Sequence, residues 1–326
     1  MRNTPTIIPF EWIHNNITLN IDLLPIMEEA FSLLNKNEVV IPSIQQIPMQ
    51  EINSQVCVKS AYYPKYPYYV VKIAGNFPNN RQINEKTSQG CMCLFSSKTG
   101  KLDTIIDDSG VLTQLRTAAS GALAAYYFAP KKVTKVAVIG AGLQANMQLE
   151  ALQLVCDYSS VAIYSRTLKR SIELATSFEN KHQIKSKAYN SAAKAVENAD
   201  IIITATSTTK PILNAAMINK NKPTLIIAMG ADAPTKNELS TDLFSIADRF
   251  ICDLKSQSLE LGELRSVLKN SSVNLSKVEE FSDACIQKKI RKKTDNLIIC
   301  DLTGVGILDL SIAMYTKKVY HSSASS

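Results

Sequence analysis

The chain has 326 residues, 45% of them hydrophobic and 20% charged, with 12 Pro and 11 Gly. That length holds one large domain or two of ordinary size, and the composition is globular rather than disordered or fibrous. Lys and Arg (36) outnumber Asp and Glu (29) by 7, a mild positive balance that helps gather small anions; the motif or aromatic interleaving that nucleic-acid binding needs is missing.

The start, MRNTPTIIPFEWIHNN, lacks a basic segment followed by a continuous apolar core, so no secretory signal is expected, and no apolar run reaches membrane-spanning length. Residues 18–36, TLNIDLLPIMEEAFSLLNK, predict an amphipathic helix. From Val56 to Asp107 the pattern turns to strands: VCVKSAYY, YPYYVVKIAGNF, GCMCLFSS and KLDTIIDD, split by Asn, Pro and Gly signals, predict an antiparallel sheet. Cys91 and Cys93 share one face of such a strand and read as small apolar side chains rather than a metal or redox pair. Thr113–Phe128 is Ala-rich and helical, and Pro130 closes it.

From Lys135 the rhythm becomes strand–helix alternation. VAVIG, SVAIYS, ADIIITAT, PTLIIAMG, RFICDL and NLIICDLTG are apolar, β-branched strands; helices follow VAVIG through about Leu154, cover Lys169–Asn180 and lie near Ala192–Asn198. Such alternation predicts a parallel sheet covered on both faces. The run Lys288–Lys293 reads as a solvated loop or helix end. The final helix, Val305–Tyr320, is expected to return to the first domain. The fold class is therefore α/β: a Rossmann-type doubly wound sheet over 118–304, plus an α+β domain for substrate and dimerisation over 1–117 with 305–326. The seven cysteines are scattered, which together with the absent signal points to the cytoplasm. The three histidines lie outside Gly-rich and carboxylate-rich segments, so neither a metal site nor a His-centred triad is expected.

The turn Gly140-Ala141-Gly142-Leu143-Gln144-Ala145 follows an apolar strand and opens a helix, the context in which backbone N–H groups and a helix dipole receive a dinucleotide pyrophosphate. Ala145 stands where a third Gly is usual, a site that only has to permit close helix–strand packing. Gly140, Gly142, Leu143 and Gln144 are the expected phosphate contacts; Thr206 and Gly230, after later strands, are added to the cofactor set. The second strand ends at Tyr164-Ser165-Arg166-Thr167, without the carboxylate that takes the ribose 2′-OH of NAD. Ser165, Arg166 and Thr167 suit a 2′-phosphate instead, so NADP(H) is favoured over NAD(H); a surface Arg166 in an enzyme using either cofactor is the alternative.

Lys72 stands in an apolar strand, where an ammonium is costly unless paired, although an edge strand would leave it in water. Arg116 opens the Ala-rich helix, and Asp232 follows the carboxyl end of a strand at Gly230-Ala231-Asp232-Ala233-Pro234. These segments, with VIGAGLQA, LTQLRTAASGALAA, MGADAPTKNEL and DLTGVGILDLSIA, resemble the ornithine cyclodeaminase/μ-crystallin family from about Ile47 to Tyr320. The resemblance implies that Lys72 reaches the substrate, that Arg116 holds its carboxylate with Thr117 beside the cofactor phosphates, and that Asp232 handles a proton near the reacting nitrogen. It also implies a homodimer. One departure stands out: the family's P-x-R segment is Pro48-Met49-Gln50 here, so the uncharged Gln50 takes the place of a second carboxylate clamp.

Within that family the missing carboxylate at Ser165-Arg166 argues for a dissociable NADPH. The leading expectation is reduction of a cyclic ketimine, Δ1-pyrroline-2-carboxylate or Δ1-piperideine-2-carboxylate, to L-proline or L-pipecolate. Ornithine cyclodeaminase with recycled NAD is the first alternative. A non-catalytic NADPH-dependent ligand-binding protein is the second, and Asp232 argues against it.

Overall fold

Alternating apolar residues between Thr6 and Ile106 can bury only one sheet face, and that is how this region folds in the computed structural model, which describes residues 4–35, 38–270, 275–288 and 290–324. The chain divides into two compact units, residues 1–117 with 305–326, and residues 118–304. In the first, β1 (Thr6–Ile8), β2 (Gln45–Met49), β3 (Ser54–Tyr62), β4 (Tyr68–Asn76), β5 (Ser88–Ser96) and β6 (Leu102–Ile106) form a six-stranded sheet in the order β1-β6-β5-β4-β3-β2. It is antiparallel except for β1, which runs parallel to β6.

One face carries Lys59, Ala61, Val70, Lys72, Met92, Leu94 and Ile106, all buried. It packs against the chain's last helix (Gly306–Ala324), which also meets α2 (Leu23–Leu34). Gly306 permits the approach: a Cβ there would fall 2.5 Å from the Ser60 carbonyl oxygen. A short α1 (Phe10–Asn16) precedes α2, and the unit boundary falls within α3 (Val111–Phe128).

The second unit is an eight-stranded parallel sheet. Its strands are β7 (Lys135–Ile139), β8 (Ser160–Tyr164), β9 (Lys185–Tyr189), β10 (Ile201–Thr204), β11 (Thr224–Ala228), β12 (Arg249–Cys252), β13 (Val278–Glu280) and β14 (Leu297–Asp301), in the order β13-β12-β14-β11-β10-β7-β8-β9. The interior strands IIIT, TLIIA and LIICD are buried throughout, whereas the edge strand KSKAY keeps exposed lysines and the edge strand VEE is half-buried. Connecting helices are α4 (Leu143–Leu152), α5 (Leu168–His182), α6 (Ala192–Val196), α7 (Thr241–Ile246), α8 (Lys255–Ser258), α9 (Glu263–Asn270) and α10 (Phe281–Gln287). Chain order reverses between β7 and β10, which makes the carboxyl ends of these strands the place where a doubly wound sheet binds its ligand.

The basic run lies in a loop after α10, with Lys288, Lys292 and Lys293 exposed, and among its described residues only Arg291 departs from a solvated position. Arg291 is half-buried and donates to the carbonyl oxygens of Phe128, Thr224 and Asp295 at 2.6–2.7 Å, and Lys288 reaches the Tyr127 hydroxyl at 3.3 Å. A guanidinium with its fork of donors ties together carbonyls from three separate segments, which a charge count along the sequence does not reveal. Lys289 lies outside the described residues.

Candidate active site

The glycine turn is built in the second unit. Gly140 leaves β7 at φ +126°, where only glycine is unstrained, and a Cβ there would lie 2.5 Å from the Ala205 carbonyl oxygen. Gly142 begins α4 from extended backbone, and a Cβ on it would meet nothing within 4 Å. No side chain caps α4, so its first amide groups are left for a ligand. A turn that needs glycine for its path, an open space above the second glycine and an uncapped helix of 10 residues together fit a pyrophosphate. Leu143, first in the helix, is exposed.

At the end of β8 the Ser165 hydroxyl donates to the Thr167 carbonyl oxygen (2.9 Å) and meets Ser171 Oγ (2.8 Å), while Arg166 is exposed. Thr206 and Gly230 each lie two residues past the end of β10 and β11, at the start of the loops that follow. Both are held by one side chain that sequence reasoning missed. Glu238, fully buried, accepts from Thr206 N, Thr206 Oγ1, Thr204 Oγ1 and Gly230 N. Asp232, by contrast, is half-exposed and ion-paired with Lys236 four residues on.

A buried charge cluster is built in the first unit. Lys72 lies on β4 between β3 and β5, so it is neither at an edge nor in water; it is 3% exposed. Its ammonium donates to Asp309 Oδ1 (2.8 Å) and Thr113 Oγ1 (3.3 Å). Arg116 Nε donates to the same Asp309 oxygen (3.0 Å). Lys59 faces Lys72 directly across the β3–β4 ladder and is buried with it. Three buried cations thus surround one carboxylate. Burial pushes Lys72 down, against the pull of Asp309, to about 8. Burial would raise Asp309, but Arg116 and Lys72 hold it below the ordinary carboxylate value.

The structure therefore groups Lys72 with Arg116, and adds Asp309 and Lys59, which the sequence reading did not single out. Thr117, one residue on from Arg116, donates its hydroxyl to the Thr113 carbonyl oxygen (2.7 Å). Gln50 is exposed at the tip of the β2–β3 hairpin, in a 3-10 turn, and is not among the residues bonded to Asp309. The signal for Asp309 was present: an acid flanked by Ile307, Leu308, Leu310 and Ile312, all buried, needs a cation. Cys91 and Cys93 are half-buried, and burial beside Cys93 pushes the Cys91 thiol up to about 11, so it stays protonated at neutral pH.

Comparison with known proteins follows the same lines. The chain is 34% identical over 301 residues, 91% of its length and 90% of its relative's, to a Rhizobium meliloti (strain 1021) protein named for dehydrogenase activity. It is 27% identical over 248 residues, 75% of each chain, to a Δ1-pyrroline-2-carboxylate reductase of Bacillus cereus (strain ATCC 14579). An archaeal alanine dehydrogenase dimer solved with bound NAD superposes with a TM-score of 0.86 at 26% identity, over 98% of this chain and 96% of that one. Residues 7–325 match the model of one family, and this chain belongs to it: the ornithine cyclodeaminase/mu-crystallin family.

Proposed function

We propose that this chain is an NAD(P)H-dependent oxidoreductase that reduces the C=N bond of a cyclic ketimine carboxylate, Δ1-pyrroline-2-carboxylate or its six-membered homologue, to L-proline or L-pipecolate. The observation that carries the reading is the buried pair Lys72 and Arg116 on Asp309, in a chain whose other unit holds the glycine turn. The reductase name of the Bacillus relative supports the substrate class.

Gly140–Gln144, with Thr206 and Gly230, would hold the dinucleotide, whose reduced form would supply the hydride. Arg116 and Lys72 hold the substrate carboxylate, and Thr117 stands beside the phosphates. Lys72, as an ammonium, withdraws charge from the carbon that accepts the hydride. Asp232 stabilises the protonated imine nitrogen, so that hydride addition to C2 turns C=N–H⁺ into C–N–H with no further proton needed. Gln50 contributes at most a neutral amide to the ligand. The protein is expected to act in the cytoplasm: its cysteines are free thiols, and no described helix is long and apolar enough to cross a membrane.

Two assays test the reading. The protein is given Δ1-pyrroline-2-carboxylate with NADPH or NADH, and separately L-ornithine with NAD⁺. Oxidation of the reduced cofactor with formation of L-proline is expected. Ammonia release from ornithine without net cofactor turnover would replace the reductase by the cyclodeaminase, and cofactor binding with neither reaction would leave a ligand-binding protein. NADP(H) is the preferred cofactor in this reading, because Arg166 stands exposed at the end of β8 with no carboxylate from Tyr164 to Thr167. Arg166→Ala is then expected to lower kcat/KM for NADPH by about tenfold while leaving NADH nearly unchanged; equal losses would remove Arg166 from cofactor choice.

A further inference from the structure

Glu238 is fully buried, and no ion pair holds it among the described residues. Its oxygens instead take four donors. Oε1 accepts from Thr206 N (2.7 Å) and Thr206 Oγ1 (2.6 Å), and Oε2 accepts from Thr204 Oγ1 (2.7 Å) and Gly230 N (2.8 Å). The Thr206 and Gly230 amides can only donate, one to each oxygen, and the two threonine hydroxyls can donate as well, a donor set that favours the ionised carboxylate. Burial is the largest influence and leaves this group above the ordinary carboxylate value, against the opposing pull of the Thr206 and Thr204 hydroxyls and the two amides.

The carboxylate is also fixed in place. Its own backbone N–H donates to Glu263 Oε1 (2.7 Å), and the Glu263 N–H donates to Asp301 Oδ2 (2.9 Å) at the end of β14. There is no slack around it: a Cβ on Gly230 would lie 2.3 Å from the Thr206 carbonyl oxygen and 2.4 Å from Glu238 Cδ.

What Glu238 braces is the carboxyl end of β10 and β11. With the phosphates at the turn after β7 and the adenosine ribose at the end of β8, a dinucleotide on a doubly wound sheet lays its nicotinamide half on the opposite side of β7. That side is β10 and β11. We propose that Glu238 is a positioning residue for the nicotinamide end of the cofactor, and that its buried negative charge favours the oxidised, positively charged ring over the reduced, neutral one. The inference rests on the cofactor reading above. Giving up a hydride leaves a positive charge on the ring, and a fixed anion in a site shielded from water stabilises that charge more than a mobile solvent would.

Dissociation constants of NADP⁺ and NADPH, or NAD⁺ and NADH, measured by calorimetry and nicotinamide fluorescence test it. Glu238→Gln keeps the shape and removes the charge; it is expected to weaken the oxidised form several-fold to about tenfold more than the reduced form. Glu238→Asp keeps the charge and shortens the tether; both forms are expected to weaken, with their ratio near that of the wild type. Equal weakening of both forms in Glu238→Gln overturns the proposal. Should Glu238→Gln fail to fold, Glu238→Asp decides alone: an unchanged ratio upholds the charge effect, and a ratio that shifts although the charge is kept overturns it. Wild-type protein that binds neither form overturns the cofactor reading itself, and the proposal with it.

Discussion

Lys72 and Asp309 show how strongly one buried residue constrains another. An ammonium in mid-sheet, with Lys59 opposite and Arg116 beside it, repels its neighbours unless a carboxylate stands between them. Asp309→Asn leaves these cations facing one another, and we expect a loss of about 3–5 kcal/mol in urea denaturation; a loss under about 1 kcal/mol would mean that the cluster is solvated. The Lys72 ammonium titrates near 8 when folded, below its ordinary 10.5. A lysine whose folded value is depressed costs stability while it is charged, and that cost is relieved as pH rises from about 8 to 10.5. Substrate affinity has the opposite sign, because the carboxylate needs the ammonium. We therefore expect kcat/KM for the imino acid to fall about tenfold per pH unit above about 8. In Lys72→Arg, which stays charged, that limb should vanish; a limb that persists unchanged belongs to another group. Lys72 and Arg116 were legible because a charge in an apolar strand and an arginine opening an Ala-rich helix both invite an explanation. Asp309 obeys the same rule but was passed over inside an apolar helix. Glu238 gave no local signal, because its partners come from the end of β10 and from the loops after β10 and β11, 8 to 34 residues away.

The elements carry a complementary pair of tests, since two glycines at strand ends have different reasons to be glycine. At Gly230 an added methyl would meet the Thr206 carbonyl and the Glu238 carboxylate, neither of which can retreat. Gly230→Ala is expected to cost about 1–3 kcal/mol of stability by thermal or urea unfolding. At Gly142 an added side chain enters open space from permissive backbone, so Gly142→Val should leave the unfolding midpoint of the ligand-free protein within a degree or two. It should nonetheless weaken cofactor binding by on the order of a hundredfold, because it fills the space assigned to the pyrophosphate. A stable Gly142→Val with undiminished cofactor affinity would remove this turn from the site. The long strands of both sheets were readable because their apolar runs are unambiguous, and the turn after β7 because an apolar strand and a helix flank it. The unread pieces are short or at edges: β1 and β13 have three residues each, β9 alternates lysines with small residues, and α7 to α10 have four to eight residues. At that length periodicity carries little information, and tertiary contacts decide.

For the molecule as a whole, the six-stranded sheet raises a question of coverage. The face bearing Lys72 is packed under helices, but the opposite face is apolar too. Ladder register places Ile47, Val56, Val58, Val71, Ile73, Cys91, Cys93, Ile105 and Ile7 on it, spread over all six strands, and each is exposed or half-buried, Ile73 by 43% and Ile7 by 60%. A contiguous apolar surface of that kind is rare on a monomer. A flat sheet face repeated by two-fold symmetry is self-complementary, and an isologous dimer needs about 800 Å² from each partner. We expect the partner to be a second copy of this chain, because this self-complementary apolar face spans the whole sheet. Sedimentation and light scattering should then give about twice the 35.9 kDa chain mass. Val71→Lys with Ile73→Lys, adjacent alternate positions on β4, should put like charges face to face across the interface and yield monomers with unchanged secondary structure by circular dichroism. A wild-type protein that is monomeric at micromolar concentration, or a lysine double variant that still dimerises, would mean that this face has some other occupant. The same variant separates assembly from chemistry. Neither residue lies on the Lys72 face, so cofactor affinity measured on the monomer should stay within about threefold of the wild type.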